Sequence, residues 1–224
     1  TPIMSSTPMM ISSFAALSDF LYRGMKRRKR RAMSEFRANI EKSEISTMPT
    51  ASFGGRIITI DTIAEADKAV KALSDEKLLG IDTETRPSFR KGLQYEVSLI
   101  QLSTADTCFL IRLNRTGMPD SLVSLLENKN IIKIGLSLHD DYQSLCRRRK
   151  FKAGGFLDLQ QHVTKYGIEE KSLQKIFAIV FGQRISKSQQ LTNWENDVLT
   201  DKQKLYAATD AWACLEIYNR LESL

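Results

Sequence analysis

The chain has 224 residues, 42% hydrophobic and 26% charged, enough for one well-cored soluble domain plus a tail and too few for two ordinary domains. Cys108, Cys146 and Cys214 lie far apart with no C-x-x-C pair, which argues against a disulfide framework or a zinc knuckle and for a reducing, cytoplasmic setting. The net charge is +7, but seven bases lie between Arg23 and Arg31 and the first 31 residues hold a single acid, Asp19. Residues 32–224 keep 26 of the 33 bases and 25 of the 26 acids, about +1, which excludes a uniformly basic duplex-binding surface.

Residues 1–33 read as a disordered basic tail, and 34–55 as an extension that packs on the domain formed by 56–224. The apolar run Met9 to Tyr22 is broken by Asp19 and precedes its basic cluster, the reverse of a secretory signal. It is also shorter than the roughly 20 apolar residues of a membrane span. The sequence opens on Thr1, which makes Met25 and Met33 candidate starts and the tail a candidate mis-assigned start.

From residue 56 the pattern becomes regular. Arg56–Ile60 predicts a strand, Thr62–Leu73 a helix and Leu78–Asp82 a short apolar strand running into charged residues. Glu96–Leu102 and Thr107–Leu113 predict a hairpin about the turn-forming Ser103-Thr104-Ala105-Asp106. Leu122–Leu126 reads as helix, Ile131–Gly135 as strand, and the chain from Leu138 onward as mostly helical. Strands followed by a strand between helices and then helices describe an α/β domain around a mixed sheet.

Within these elements four carboxylates and a tyrosine stand out. Asp82 and Glu84, at period two, project from one face of their strand and repel each other unless they share a cation. By itself such a pair is weak, since a solvated strand end reads the same way. In the helix that follows Gly135, Leu138, Asp141 and Leu145 share one face, so Asp141 is aimed at the core side while Asp140 acts as a cap or first-turn acid. Thr200-Asp201-Lys202-Gln203 is a capping-box pattern that starts the last helix. From there Tyr206, Asp210, Cys214, Ile217 and Leu221 form one stripe, and a buried Asp210 needs a partner, either a shared metal or a basic residue. With His139 and His162 the only histidines, a metal would be held by carboxylate oxygens, which select hard ions.

Asp82-Thr83-Glu84, Asp141 at its helix start, and Tyr206-Ala207-Ala208-Thr209-Asp210 resemble the three motifs of the DEDDy 3′-5′ exonucleases of the DnaQ-like superfamily, of the ribonuclease D and Werner exonuclease-domain type. The resemblance covers residues 56–224. It extends to Val97-Ser98-Leu99-Ile100-Gln101-Leu102, to Lys171-Ser172-Leu173-Gln174, and to the segment from Ser186-Lys187-Ser188 to Asn193-Trp194. The histidine branch places histidine at position 205; here Leu205 precedes Tyr206, which indicates the tyrosine branch.

The resemblance implies an RNase H-like fold, a central mixed β-sheet of about five strands flanked by helices. It also implies two divalent metal ions, Mg2+ or Mn2+. Asp82 would bridge both ions, Glu84 and Asp210 would hold the one on the side of the attacking water, and Asp141 would support the other. Tyr206, whose phenol ordinarily titrates near 10, would orient that water rather than deprotonate it. Thr83, Arg86, Phe89, Arg184 and Lys187 are the candidate substrate contacts, with Phe89 a stacking surface, and Trp194 reads as core. The implied partner is nucleic acid with a free 3′ end, single-stranded DNA or RNA or a recessed end, and no membrane. A catalytically inactive binding module on the same fold is the alternative reading.

Overall fold

The computed structural model describes residues 36–224; the predicted basic tail, residues 1–33, lies outside the described residues. After a short helix α1 (Lys42–Thr47), β1 (Arg56–Ile60) leads into α2 (Ile63–Leu73). The strands β2 (Leu78–Thr85), β3 (Val97–Ser103) and β4 (Thr107–Arg112) then run as a meander. Next come α3 (Leu113–Thr116), α4 (Asp120–Glu127), β5 (Ile132–Gly135), α5 (Leu138–Arg148) and β6 (Phe156–Asp158). The chain ends with α6 (Leu159–His162), a 3-10 turn at Val163–Tyr166, α7 (Leu173–Phe181) and the long α8 (Asp201–Glu222).

The strands form one mixed sheet in the order β1-β4-β3-β2-β5-β6. β2–β3 and β3–β4 pair antiparallel, as consecutive strands joined without a crossover do. β1–β4, β2–β5 and β5–β6 pair parallel, with helices in the intervening chain. The sheet has six strands where about five were expected. The additional strand, β6, has three residues, too few to show a period, and it lies in the region read as mostly helical. The segment between α7 and α8 is likewise irregular rather than helical.

Both sheet faces are covered. Leu79, Ile81, Ile100, Leu102 and Ile111 point to one face and pack with α2, α4 and the start of α5. Leu99 and Leu110 point to the other, against Ala207, Ala208 and Ala211 of α8. This is why all seven residues of β3 are buried and why its sequence does not alternate. The alanines let α8 lie close to the sheet, and Gly80 completes the fit, because a Cβ there would stand 1.9 Å from the Ala211 carbonyl oxygen. Two buried cations pin the loops. Lys133 Nζ donates to the carbonyls of Leu125, Asn128 and Ile131, closing the C-terminal end of α4. Arg112, 2% exposed, donates to the carbonyls of Asn196 and Asp197 and pairs with Asp61.

Residues 36–55 pack on the domain through backbone hydrogen bonds. Ala51 N donates to Arg184 O at 2.8 Å and Arg184 N donates to Pro49 O at 3.0 Å. Glu169 N donates to Ala38 O, and Phe53 N to Thr209 Oγ1 on α8. Ile40 and Phe53 are the buried apolar anchors.

Candidate active site

Residues 78, 80, 82 and 84 of β2 face α8, and 79, 81 and 83 face the α5 side, as strand alternation dictates. Asp82 and Glu84 are thereby delivered to the helix whose capping box, Thr200 with Gln203, sets its register. From that start the stripe of Tyr206, Asp210, Cys214, Ile217 and Leu221 is buried, as its spacing predicts. Carboxylate oxygens of Asp82, Glu84 and Asp210 lie within 4.8 Å of one another. They line a cavity of about 250 Å³ with Thr83, Tyr206, Lys187 and Gln190.

The arrangement is electrostatically tense. Burial, then the charges of Asp82, Asp210 and Asp141, pushes the Glu84 carboxyl up to about 10. Burial and the charges of Asp210 and Asp141 hold Asp82 well above the ordinary carboxylate range. Burial raises Asp210 to about 7, against the opposing effects of the neighbouring Tyr206 hydroxyl and the charge of Lys187. Burial raises Asp141 to about 6, opposed by its hydrogen bond from Thr83. The Tyr206 phenol is itself pushed up by burial and by the Asp210 and Glu84 charges, so it stays protonated.

Asp210 forms no ion pair among the described residues, so the basic partner considered for it is not found, and its Oδ1 is buried without a hydrogen-bond partner. A buried carboxylate oxygen left open, two further carboxylates within reach and a wall rich in oxygen donors fit a hard divalent cation. Cys214 also borders the cavity, but burial and the surrounding acids keep its thiol protonated.

Asp141 stands outside this triad. It lies in the first turn of α5, half-buried between Leu138 and Leu145, and its Oδ1 accepts from Thr83 Oγ1 at 2.5 Å. Asp140 is an exposed first-turn acid and caps nothing with its side chain. The cap is supplied from elsewhere. The two oxygens of Asp158, at the end of β6, accept from Ser137 N at 3.2 Å and Leu138 N at 2.9 Å. Ser137 has φ 58°, the only non-glycine with positive φ among the described residues, and that turn aims the start of α5 at the acids. Local spacing could not reveal Asp158, which lies 20 residues beyond the Leu138 amide it caps.

The other substrate candidates separate. Lys187 lines the acidic cavity. Thr83 does too, with its hydroxyl committed to Asp141. Arg86 pairs with Glu195 at 3.2 Å and covers the Tyr95 ring, in a separate cleft of about 500 Å³ that Phe89, 85% exposed, also lines. Arg184 Nε donates to Thr50 Oγ1 in a neighbouring groove, away from the acids. Trp194 is fully buried, 6.0 Å from the Tyr206 ring, as a core residue. Gln101, directly opposite Asp82 across β2–β3, carried no signal in the sequence beyond its place in a strand. Both its amide atoms are buried without partners, on the face of the acids.

An α/β sheet with two carboxylates at the end of a central strand, met by a third from the helix packed on it, is the architecture of the DnaQ-like class. Residues 57–224 match the 3′-5′ exonuclease family, and the chain belongs to that family. It is 32% identical over 211 residues to the bifunctional 3′-5′ exonuclease/ATP-dependent helicase WRN of Mus musculus, covering 89% of this chain and 15% of that protein, so it spans a small part of that relative's length. It is 29% identical over 201 residues to a 3′-5′ exonuclease of Arabidopsis thaliana, covering 83% of this chain and 70% of that one. In fold it is similar to the EXO domain of Aedes aegypti Nibbler, with a TM-score of 0.69 at 23% identity over 78% of this chain and 92% of that chain.

Proposed function

We propose that this chain removes nucleotides from the free 3′ end of DNA or RNA. It would hydrolyse the terminal phosphodiester and release nucleoside 5′-monophosphates with the help of two divalent ions, Mg2+ or Mn2+. The observation that carries the reading is the Asp82, Glu84 and Asp210 triad with its open, buried Asp210 Oδ1. Such carboxylates cannot all ionise at neutral pH without a cation between them. When bound, the ions supply an activated water and offset charge on the leaving 3′ oxygen.

Asp82, Glu84 and Asp210 would hold the ions, with Asp141 serving from the adjacent helix. Tyr206 stays a phenol, and its place on the cavity wall beside Asp210 offers a donor that can orient the water. Lys187 lines the cavity, its charge acts on Asp210, and it is placed to meet a substrate phosphate. The near-neutral body fits a domain that grips a few terminal nucleotides rather than a long duplex.

The test is to incubate the purified protein with 5′-labelled single-stranded RNA and DNA in Mg2+, Mn2+ or EDTA, beside Asp82→Ala. A metal-dependent ladder shortening from the 3′ end, absent in the variant, is the expected result and identifies the preferred polymer. Binding of both polymers without cleavage of either would overturn the reading in favour of an inactive binding module.

A further inference from the structure

Beside the acidic cavity lies a larger groove of about 610 Å³ whose floor is the start of α7 and whose outer wall is the N-terminal extension, through Lys42, Ile45, Ser46 and Thr50. Its cations are Lys42, Lys175, Arg184 and Lys187, and no carboxylate lines it among the described residues. In a body whose charge is close to balanced, Lys42, Arg184 and Lys187, which make no ion pair among the described residues, leave this groove with an excess of positive charge. Ser172, Gln174 and Lys187 line both this groove and the acidic cavity, so the two adjoin across these side chains.

The bases differ in what already holds them. Lys175 is paired with Glu170 at 2.7 Å, and the same Glu170 oxygen accepts from Ile40 N at 3.1 Å, which fastens the extension to α7. Arg184 is bonded to Thr50 through Nε, and its guanidinium has no carboxylate partner among the described residues. Lys42, exposed in the first turn of α1, forms no ion pair among the described residues, and Lys187 acts on Asp210 through its charge alone. Between them Ile45 and Ile185 present apolar surface. Spaced cations with hydroxyl and amide donors and a short apolar strip suit a single nucleic-acid strand, whose phosphates and bases or sugars alternate in that way.

We propose that this groove is the binding channel for the strand 5′ of the scissile nucleotides, and that the N-terminal extension builds its outer wall. The inference rests on the exonuclease reading for its polarity: with the 3′ terminus at the acids, the chain leaving past Ser172, Gln174 and Lys187 is the 5′ side. Lys42, far from the acids in sequence and outside the family match, is its distinguishing contact. It bears on how tightly a strand is held and not on the chemistry.

The experiment compares the full chain with Lys42→Glu on a single-stranded 12-mer and on a trinucleotide confined to the acidic cavity. It reads KM and kcat in Mg2+, and the salt dependence of 12-mer binding by fluorescence anisotropy in EDTA. The expected result is a KM for the 12-mer raised roughly three- to tenfold with kcat unchanged, no change for the trinucleotide, and a salt slope shallower by about 0.7 for one lost phosphate contact. An unchanged KM and slope for the 12-mer would overturn the channel while leaving the exonuclease reading intact. If the parent chain cleaves nothing, anisotropy decides alone. Binding that depends on Lys42 then keeps the groove as a strand-binding surface while its polarity falls with the exonuclease reading, and binding that is absent or independent of Lys42 defeats the groove as well.

Discussion

The Thr83 hydroxyl donates to Asp141 Oδ1 at 2.5 Å, tying the middle of the Asp82-Thr83-Glu84 motif to an acid 58 positions further along the chain. Alternation along β2 explains the bond: Asp82 and Glu84 turn to α8, so the residue between them must turn to α5. One tripeptide thus addresses two helices, and Asp141 is held by a neutral hydroxyl instead of joining the triad.

Thr83→Val keeps the shape and removes the hydrogen bond. The bond lowers the Asp141 pKa against burial, so its loss moves that carboxyl further up from about 6. The acidic limb of the pH–rate profile should shift to higher pH by roughly one to two units, given about 1.5–3 kcal/mol for a hydrogen bond to a charged group. An unshifted limb with ordinary folding would separate Asp141 from the rate-limiting ionisation.

The metal-free protein should lose stability as pH rises through neutrality. Glu84 and Asp210 sit at about 10 and about 7 in the fold, above the roughly 4 of an unfolded carboxyl. Raised folded values mean that their contribution is complete below about pH 4 and lost as pH climbs through the folded values. Two bases act in the opposite sense. His162, lowered by burial, does so near its ordinary pKa, and Lys133, lowered by burial to about 8, does so above that value, so pH 7 to 8 best isolates the acids. Thermal melts in EDTA should show Tm falling across that interval, and Mg2+ or Mn2+ should remove much of the slope. Asp82→Asn should raise the Tm of the metal-free form at about pH 7.5, because it replaces a buried carboxyl that the fold must keep protonated far above its ordinary range.

Among the acids, severity should follow position. Asp82→Ala should abolish metal-dependent cleavage with the fold retained, because it relieves repulsion. Asp141→Ala should be severe and Asp140→Ala mild, since Asp140 is exposed and its side chain caps nothing. Single-turnover rates on a common oligonucleotide check the order, and a reversal of the last two would mean that the α5 face is misassigned.

Tyr206→Phe should lower kcat by about ten- to a hundredfold with KM unchanged, as expected for loss of a positioning donor. A parallel rise in KM would instead make the hydroxyl a substrate contact.

Gly80→Ala should cost about 1–3 kcal/mol from overpacking, since its Cβ would meet the Ala211 carbonyl oxygen at 1.9 Å. The helix must move off β2 and carry Asp210 with it, so metal affinity should fall beyond what the change in Tm alone accounts for. Calorimetric titration with Mn2+ beside a thermal melt checks this.

Local sequence was enough to say which residues belong together along each element. Period two placed Asp82 with Glu84, the Thr200 and Gln203 capping box set the register that aligns Tyr206 with Asp210, and helical spacing turned Asp141 rather than Asp140 toward the core. These properties follow from backbone geometry within a few residues. What local spacing cannot reach came from packing. Gly80 against Ala211 brings α8 close enough for Asp210 to join Asp82 and Glu84, while Thr83 keeps Asp141 apart. Asp158 caps a helix that precedes it, and a sixth strand too short to show a period completes the sheet. Phe89, a candidate beside Lys187 in the sequence, falls into a separate cleft, and Arg184 lines the groove next to the acids rather than their own cavity. Each of these depends on contacts between residues far apart in the chain, where packing and not periodicity determines the neighbour.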